Sequence, residues 1–273
     1  NVCQKVHPFA RDYIQWIKNT LKGGGDGEKT IEEKTLIILS IVVEKNKYPS
    51  PSMLSLEDEF FEDFRKSSKV LFDNLLLLNT NVVVQFVCEK IVAPTFLNWK
   101  SQSLSFADIE VALYYFYLIG ENVSTLCDVK QVESLVEMLV TSSISSFPHT
   151  VTQSFYFDLI CRYENFFNSN LSHLASQVLI SFLDERGLRN PELKIRAKVC
   201  RLFNKFVKTC IKSSQNKSDK QQQQTSSFTE DILKRLHDFA KPNITFDNVD
   251  YLIEQNLDQL ANSPYLVRAE NVD

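Results

Sequence analysis

VLISFLDERGLRNPELKIRAKVCRLFNKFVK, residues 178–208, describes a helix, a tight polar turn and a second helix. Ahead of the turn, SHLASQVLISFLD (172–184) repeats apolar residues at three- and four-residue steps, the period of one buried helical face. ERGLRN (185–190) carries the polar residues and the glycine that interrupt a helix, and Pro191 is suited to the start of the next one. Beyond it, Ile195, Val199, Leu202, Phe203, Phe206 and Cys210 form a second apolar row. Lys194, Lys198, Arg201, Lys205, Lys208 and Lys212 recur at steps of four, three, four, three and four. At 100° per residue these six cations fall within an arc of about 80°, turned away from the apolar row. Such a helix docks one face on a protein core and presents the other to something anionic. The plainer reading, a solvated helix face, stays open on the residues alone.

The rest of the chain is also helical in character. Its 273 residues are 44% hydrophobic and hold only 6 Gly and 8 Pro, enough apolar material for a sizeable core. Net charge is −4, which argues against a generic polyanion binder. Residues 186–212, however, set nine Lys and Arg against Glu192 alone; this +8 leaves −12 on the remainder. A basic segment on an acidic body points to a directed electrostatic site. Six cysteines lie at 3, 88, 127, 161, 200 and 210 without a CxxC pair, and the four histidines show no metal-ligand spacing. Neither a metal site nor a disulfide framework is expected, and a reducing compartment fits best. The longest apolar run, near Leu36–Val43, is interrupted by Ser40 and is far shorter than the roughly 20 residues of a membrane helix. Membrane insertion and a signal peptide are not expected. The chain starts at Asn1 without Met, so an excerpt of a longer protein is expected.

Polar breaks divide the chain into candidate helices at about 8–22, 29–46, 55–79, 81–97, 105–120, 130–145, 148–168, 172–184, 191–212, 228–240 and 246–261. GGGDG (23–27) and the low-complexity SSQNKSDKQQQQTSS (213–227) are expected to be exposed loops. YPSPS (48–52) forbids a continued helix. Helices paired over about 40–47 residues suggest HEAT units. The unit 172–212 resembles the HEAT pattern in which a P-x-x-x-I/V-R run opens the second helix; Arg196 matches its arginine and Asp184 its aspartate. That resemblance implies that these two residues stitch neighbouring repeats. The expected fold is all-α: one HEAT-repeat α-solenoid segment over 1–273, of about five to six helix pairs, with the second helices of the pairs lining an inner surface. Phe155, Leu159, Ile160, Tyr163, Phe166, Leu179, Phe182, Leu183, Ile195, Val199, Phe203 and Phe206 are the expected core of its best-defined part.

Catalytic chemistry finds no footing. GGGDGEKT (23–30) lacks the Gly-Lys-Ser/Thr of a phosphate loop, because Glu28 separates Gly27 from Lys29, and it follows a helix rather than a strand. The acidic run Glu57, Asp58, Glu59, Glu62 and Asp63 suits a helix start, where carboxylates complement the dipole. Tyr114, Tyr115, Phe116 and Tyr117 are consecutive on a helix, point in several directions and are expected to pack. No catalytic residue, metal or cofactor is assigned.

Four blocks occur together in order: YFDLICRYENFF (156–167), VLISFLDERGLRN (178–190), KIRAKVCRLFNKFVK (194–208) and FTEDILKRLHDF (228–239). With them the chain resembles the tRNA exportin family, exportin-T, of the importin-β superfamily. NWKSQSLSFADIEVALYYFYLIGE (98–121) is similar to the W-x-x-x-E helix pair of exportins, and EFFEDFRKSSKVLFDNL (59–75) to their acidic-aromatic-arginine motif. VTSSISSFPHT (140–150) matches as well, and the resemblance covers most of 55–240. It implies a non-enzymatic receptor that carries tRNA from nucleus to cytoplasm with the GTP form of the GTPase Ran, passes nucleoporins, and holds the RNA by shape and phosphate backbone. Cargo and Ran would each raise affinity for the other. The main Ran-binding repeats of the superfamily are N-terminal, so this chain is expected to hold central repeats. The expected RNA-facing residues are Lys194, Lys198, Arg201, Lys205 and Lys208, extended by Arg186 and Arg189; Glu57, Asp58 and Glu59 are expected to face a basic partner, Ran. The alternatives are a HEAT scaffold that binds only proteins and an accessory domain of a larger enzyme.

Overall fold

The computed structural model describes residues 27–48, 59–101, 104–121 and 129–215, with helical backbone also at Asp12, 14–16 and Asn19. Two compact units divide the chain, Asn1–Ser213 and Ser214–Asp273, and almost all of the described residues belong to the first. Nine α-helices follow one another among them: α1 (Gly27–Lys45), α2 (Glu59–Leu78), α3 (Thr80–Asn98), α4 (Phe106–Ile119), α5 (Val129–Thr141), α6 (Thr150–Arg162), α7 (Glu164–Phe167), α8 (Ala175–Leu183) and α9 (Leu193–Gln215). No strand occurs among the described residues.

The helices alternate between two layers. α1 packs on α3 and α3 on α5, while α8 reaches α5 through Gln177 Nε2, which donates to the Val140 carbonyl. In the other layer α2 meets α4 through Phe72 and Tyr115, α4 packs along α6, and α9 meets α6 where Cys161 Sγ donates to the Leu202 carbonyl. This is the all-α, HEAT-type stacking expected from the sequence, with pairs α1/α2, α3/α4, α5/α6 and α8/α9. Each pair buries its apolar faces only by stacking on the next. An aromatic seam marks the result: Phe116 stacks on Tyr163, and Phe182 meets Phe157 and Phe206. Phe72, Phe96, Phe116, Phe157, Phe182 and Phe206 are all fully buried.

Helix α4 is the centre. Ser105 starts it with a reciprocal cap: its hydroxyl accepts from the Asp108 amide at 3.2 Å, and Asp108 accepts from the Ser105 amide at 2.9 Å. Nine of its fourteen residues are buried, so it is covered on nearly every side. Helix α3 carries a π-helical turn, Val87–Val92, closed by the Ala93 amide donating to the Cys88 carbonyl. The wider turn falls just ahead of Pro94, which has no amide hydrogen to give a regular ladder. Among the described residues α3 is also one helix long and apolar enough to cross a membrane. The sequence reading missed this because Asn81, Gln85, Glu89 and Lys90 interrupt the run. Val83, Val84, Val87, Val92 and Phe96 spend its apolar face on the protein core.

The helix spans agree with the sequence reading to within a few residues, with four differences. Gly27 opens α1 rather than ending a loop, since the first helical position makes few demands on a side chain. Residues 213–215 continue α9, because propagating a formed helix costs little even through Ser and Gln. Residues 23–26, 216–227 and the candidate helices at 228–240 and 246–261 lie outside the described residues. The span 130–145 ends early at Thr141, where Ser143 takes a left-handed backbone (φ 61°). The span 148–168 breaks at Tyr163, whose hydroxyl donates to the Phe116 carbonyl at 2.7 Å and anchors the chain to α4. Nine of the twelve expected core residues are buried; Phe155, Phe166 and Phe203 are half-buried.

Candidate nucleic-acid interface

The turn between α8 and α9 positions the cationic helix. The Leu188 amide returns to the Phe182 carbonyl at 2.8 Å, and a Cβ on Gly187 would lie 2.2 Å from that same oxygen. Only glycine permits so close an approach. Arg196 Nη1 donates to the Asn190 and Pro191 carbonyls at 2.6 and 2.9 Å, tying the first turn of α9 to the loop before it. Ile195, Val199 and Phe206 then bury the apolar row; Leu202 and Phe203 are half-buried, and the Cys210 side chain lies outside the described residues.

The structure divides the cationic stripe. Lys198 reaches α6, where its Nζ lies 2.5 Å from Asp158 Oδ2 and 2.7 Å from Ser154 Oγ. Lys205 Nζ donates to the Cys161 carbonyl at 3.2 Å and stands 3.7 Å from Glu164 Oε1. Lys194, Arg201 and Lys208 are exposed and form no ion pair with the described residues. The Lys212 side chain is outside them. Arg186 is half-buried: it forks onto Asp184 and donates to Ser145 Oγ at 2.9 Å in the turn before α6. Burial opposes the charge on its guanidinium, but the Asp184 carboxylate more than compensates. The stitch between repeats expected at Arg196 is therefore carried by Arg186, while Arg196 holds its own repeat. Arg189 is exposed, with its amide donating to the Asp184 carbonyl at 3.0 Å.

Ion pairs continue across the same layer. Arg65 of α2 forks onto Glu110 of α4 at 2.6 and 2.5 Å and also donates to the Asn46 carbonyl at 2.8 Å. Its guanidinium lies 4.6–4.9 Å from the ring centroids of Tyr48, Phe61 and Tyr114. Both charged side chains are buried, at 6% and 0% exposure. Burial pushes the Glu110 carboxyl above its ordinary range and Arg65 draws it part of the way back. Burial also pushes the Tyr114 phenol up to about 12, so the ring stays neutral beside the cation. Glu121, just past α4, accepts from Lys69 of α2 at 2.8 Å and pairs with Arg162 of α6 at 3.7 Å. Sequence reading assigned none of these pairs. The signal was present: Glu110 is the one acid inside the apolar run IEVALYYFYLI, a place where a charge needs a partner.

The aromatics Tyr114, Tyr115, Phe116 and Tyr117 pack, as expected from their spacing; Tyr117 lies under the Arg162 guanidinium at 3.8 Å. Glu57 and Asp58 lie outside the described residues, as does the side chain of Glu59 at the start of α2. Glu62 and Asp63 are exposed on its first turns.

A model of the Exportin-T family matches residues 1–239, including the first 54, which carry none of the exportin motifs quoted above. The chain is 30% identical over 251 residues to human Exportin-T, a match of 88% of this chain and 24% of that protein. It is 27% identical over 245 residues to Exportin-T of Danio rerio (85% and 24%) and 39% identical over 111 residues to Exportin-T of Dictyostelium discoideum (38% and 10%). The chain thus spans about a quarter of the length of the vertebrate relatives it matches.

Proposed function

The chain belongs to the exportin-T family, and on that premise we propose that it is a segment of a nuclear export receptor that carries tRNA to the cytoplasm with Ran-GTP. The receptor shuttles between the two compartments past nucleoporins, catalyses no reaction and inserts into no membrane. The observation that carries the RNA reading is the line of Lys194, Arg201 and Lys208 on α9. They recur every seven residues, are exposed, and have no carboxylate among the described residues to neutralise them. Phosphates bind such a line through charge and counterion release, without reading bases. Lys198 and Lys205 flank it, and Arg189 extends it at the preceding turn; Arg186 supports the turn from beneath. Glu57, Asp58 and Glu59 are the acidic residues that would meet Ran.

The test replaces Lys194, Arg201 and Lys208 with Gln in the full-length receptor and measures tRNA binding with Ran-GTP over a range of salt. Exposed charges contribute little to stability, so the fold should be retained. Affinity should fall, and the salt slope should flatten by about 0.7–0.9 for each lost contact. Wild-type affinity with an unchanged slope would reduce the stripe to a solvated face.

A further inference from the structure

We infer that Asp158 and Glu164 set the strength of the α9 cationic face by competing with the bound phosphates for Lys198 and Lys205. The inference rests on the phosphate-binding reading above and concerns the two lysines that reading leaves at the flank. In sequence the stripe is uniform; in the structure two of its members are already engaged. Lys198 is held between Asp158 Oδ2 at 2.5 Å and Ser154 Oγ at 2.7 Å, with the lysine and aspartate side chains 32% and 24% exposed. Lys205, 57% exposed, stands 3.7 Å from Glu164, whose side chain is 15% exposed and whose Oε2 is buried with no hydrogen-bond partner among the described residues. Among the described residues, Lys205 is the cation that pairs with this carboxylate.

An ammonium held by a carboxylate neutralises no phosphate, so it releases none of the cations condensed on a polyanion and adds little to its binding. To use Lys198 or Lys205, a phosphate must displace an acid held in place on α6 (Asp158) or α7 (Glu164). The two carboxylates thus remove two contacts from a five-cation face. What remains is Lys194, Arg201 and Lys208, about 10.5 Å apart along the helix at 1.5 Å per residue. A grip limited in this way releases its ligand faster, since affinity differences within one interface reside mostly in the off-rate. Asp158 and Glu164 are affinity-setting residues that touch no RNA themselves.

Asp158→Asn with Glu164→Gln in the full-length receptor, titrated with tRNA and Ran-GTP between 50 and 200 mM salt, tests this. Freeing both lysines should strengthen binding and steepen the salt slope by about 0.7–0.9 per lysine. The gain at 50 mM should then exceed that at 200 mM by about tenfold. A purely structural stitch would give no gain. Two further variants delete whole pairs, Asp158→Asn with Lys198→Gln and Glu164→Gln with Lys205→Gln; they keep the net charge and leave no buried ion alone. Both should bind tRNA as the wild type does, and a loss of affinity in either overturns the inference even if the first variant does not fold. If the first variant leaves the slope unchanged while loss of Lys194, Arg201 and Lys208 weakens binding, the inference fails and the phosphate-binding reading stands. If no variant alters binding, both fail.

Discussion

Arg65 shows how a single side chain can decide a joint. Its cation is sealed beneath three rings and forks onto a carboxylate with no exposure of its own. Removing one member leaves the other charged and buried, whereas removing both does not. Arg65→Met should therefore cost about 3–5 kcal/mol in denaturant unfolding, and adding Glu110→Leu should restore much of it. A double variant as unstable as the single one would show that the ring cage, not the charge, holds α2 to α4. Asp108 gives a pH signature. Burial alone would raise its carboxyl, but Lys47, at 2.8 Å, and the Ser105 hydroxyl and amide outweigh it and hold the group below its ordinary range. A depressed carboxyl stabilises the fold above the ordinary pKa of about 4 and loses that contribution as pH falls through its folded value. Asp108→Asn should be less stable than wild type at pH 6, with the gap narrowing as pH falls below the ordinary carboxylate range; a gap that does not narrow refutes the assignment.

At the scale of elements, α9 gives the sharpest expectation. Phe206 is fully buried against Phe167 and Phe182, whereas Phe203 touches Phe182 from a half-buried position. Phe206→Ala should cost about 3–5 kcal/mol, and Phe203→Ala clearly less, as the midpoints of thermal unfolding will show. Equal losses would place both rings in the core, as the periodicity of the sequence alone suggests. Helix periodicity was legible because apolar spacing is local: α1 to α9 follow it to within a few residues. Which cations of the stripe remain available was not legible. Lys198 and Lys205 lie within the same arc as Lys194 and Arg201, and only the approach of α6 and α7, some forty residues earlier, separates them. The Arg65–Glu110 pair escaped for the same reason, since its partners lie 45 positions apart. Charge spacing says where a side chain points on its own helix and nothing of what stands opposite. The turn was the exception: its glycine and Asp184 could be read locally, although the stitching arginine proved to be Arg186.

For the segment as a whole, stacking on nearest neighbours makes position along the row a determinant of stability. Amides of α4, covered on nearly every side, should exchange with solvent most slowly, and those of α1 and α9 earlier. Hydrogen exchange with a single rate class throughout would mean that the row opens as one block. Glu121 adds a mechanical consequence. This one carboxylate takes Lys69 from α2 and Arg162 from α6, its neighbours on either side in the layer, so it ties the three helices at one point. Those three helices carry load together, and compliance falls to the next joint, between α6 and α9. There the ion pairs are partly exposed lysines, with no buried fork such as the one by which Arg65 and Glu110 lock α2 to α4. A rigid, curved load pressed on this segment is thus met by a stiff backing of three helices and one yielding rod, and the yielding rod is the cationic one.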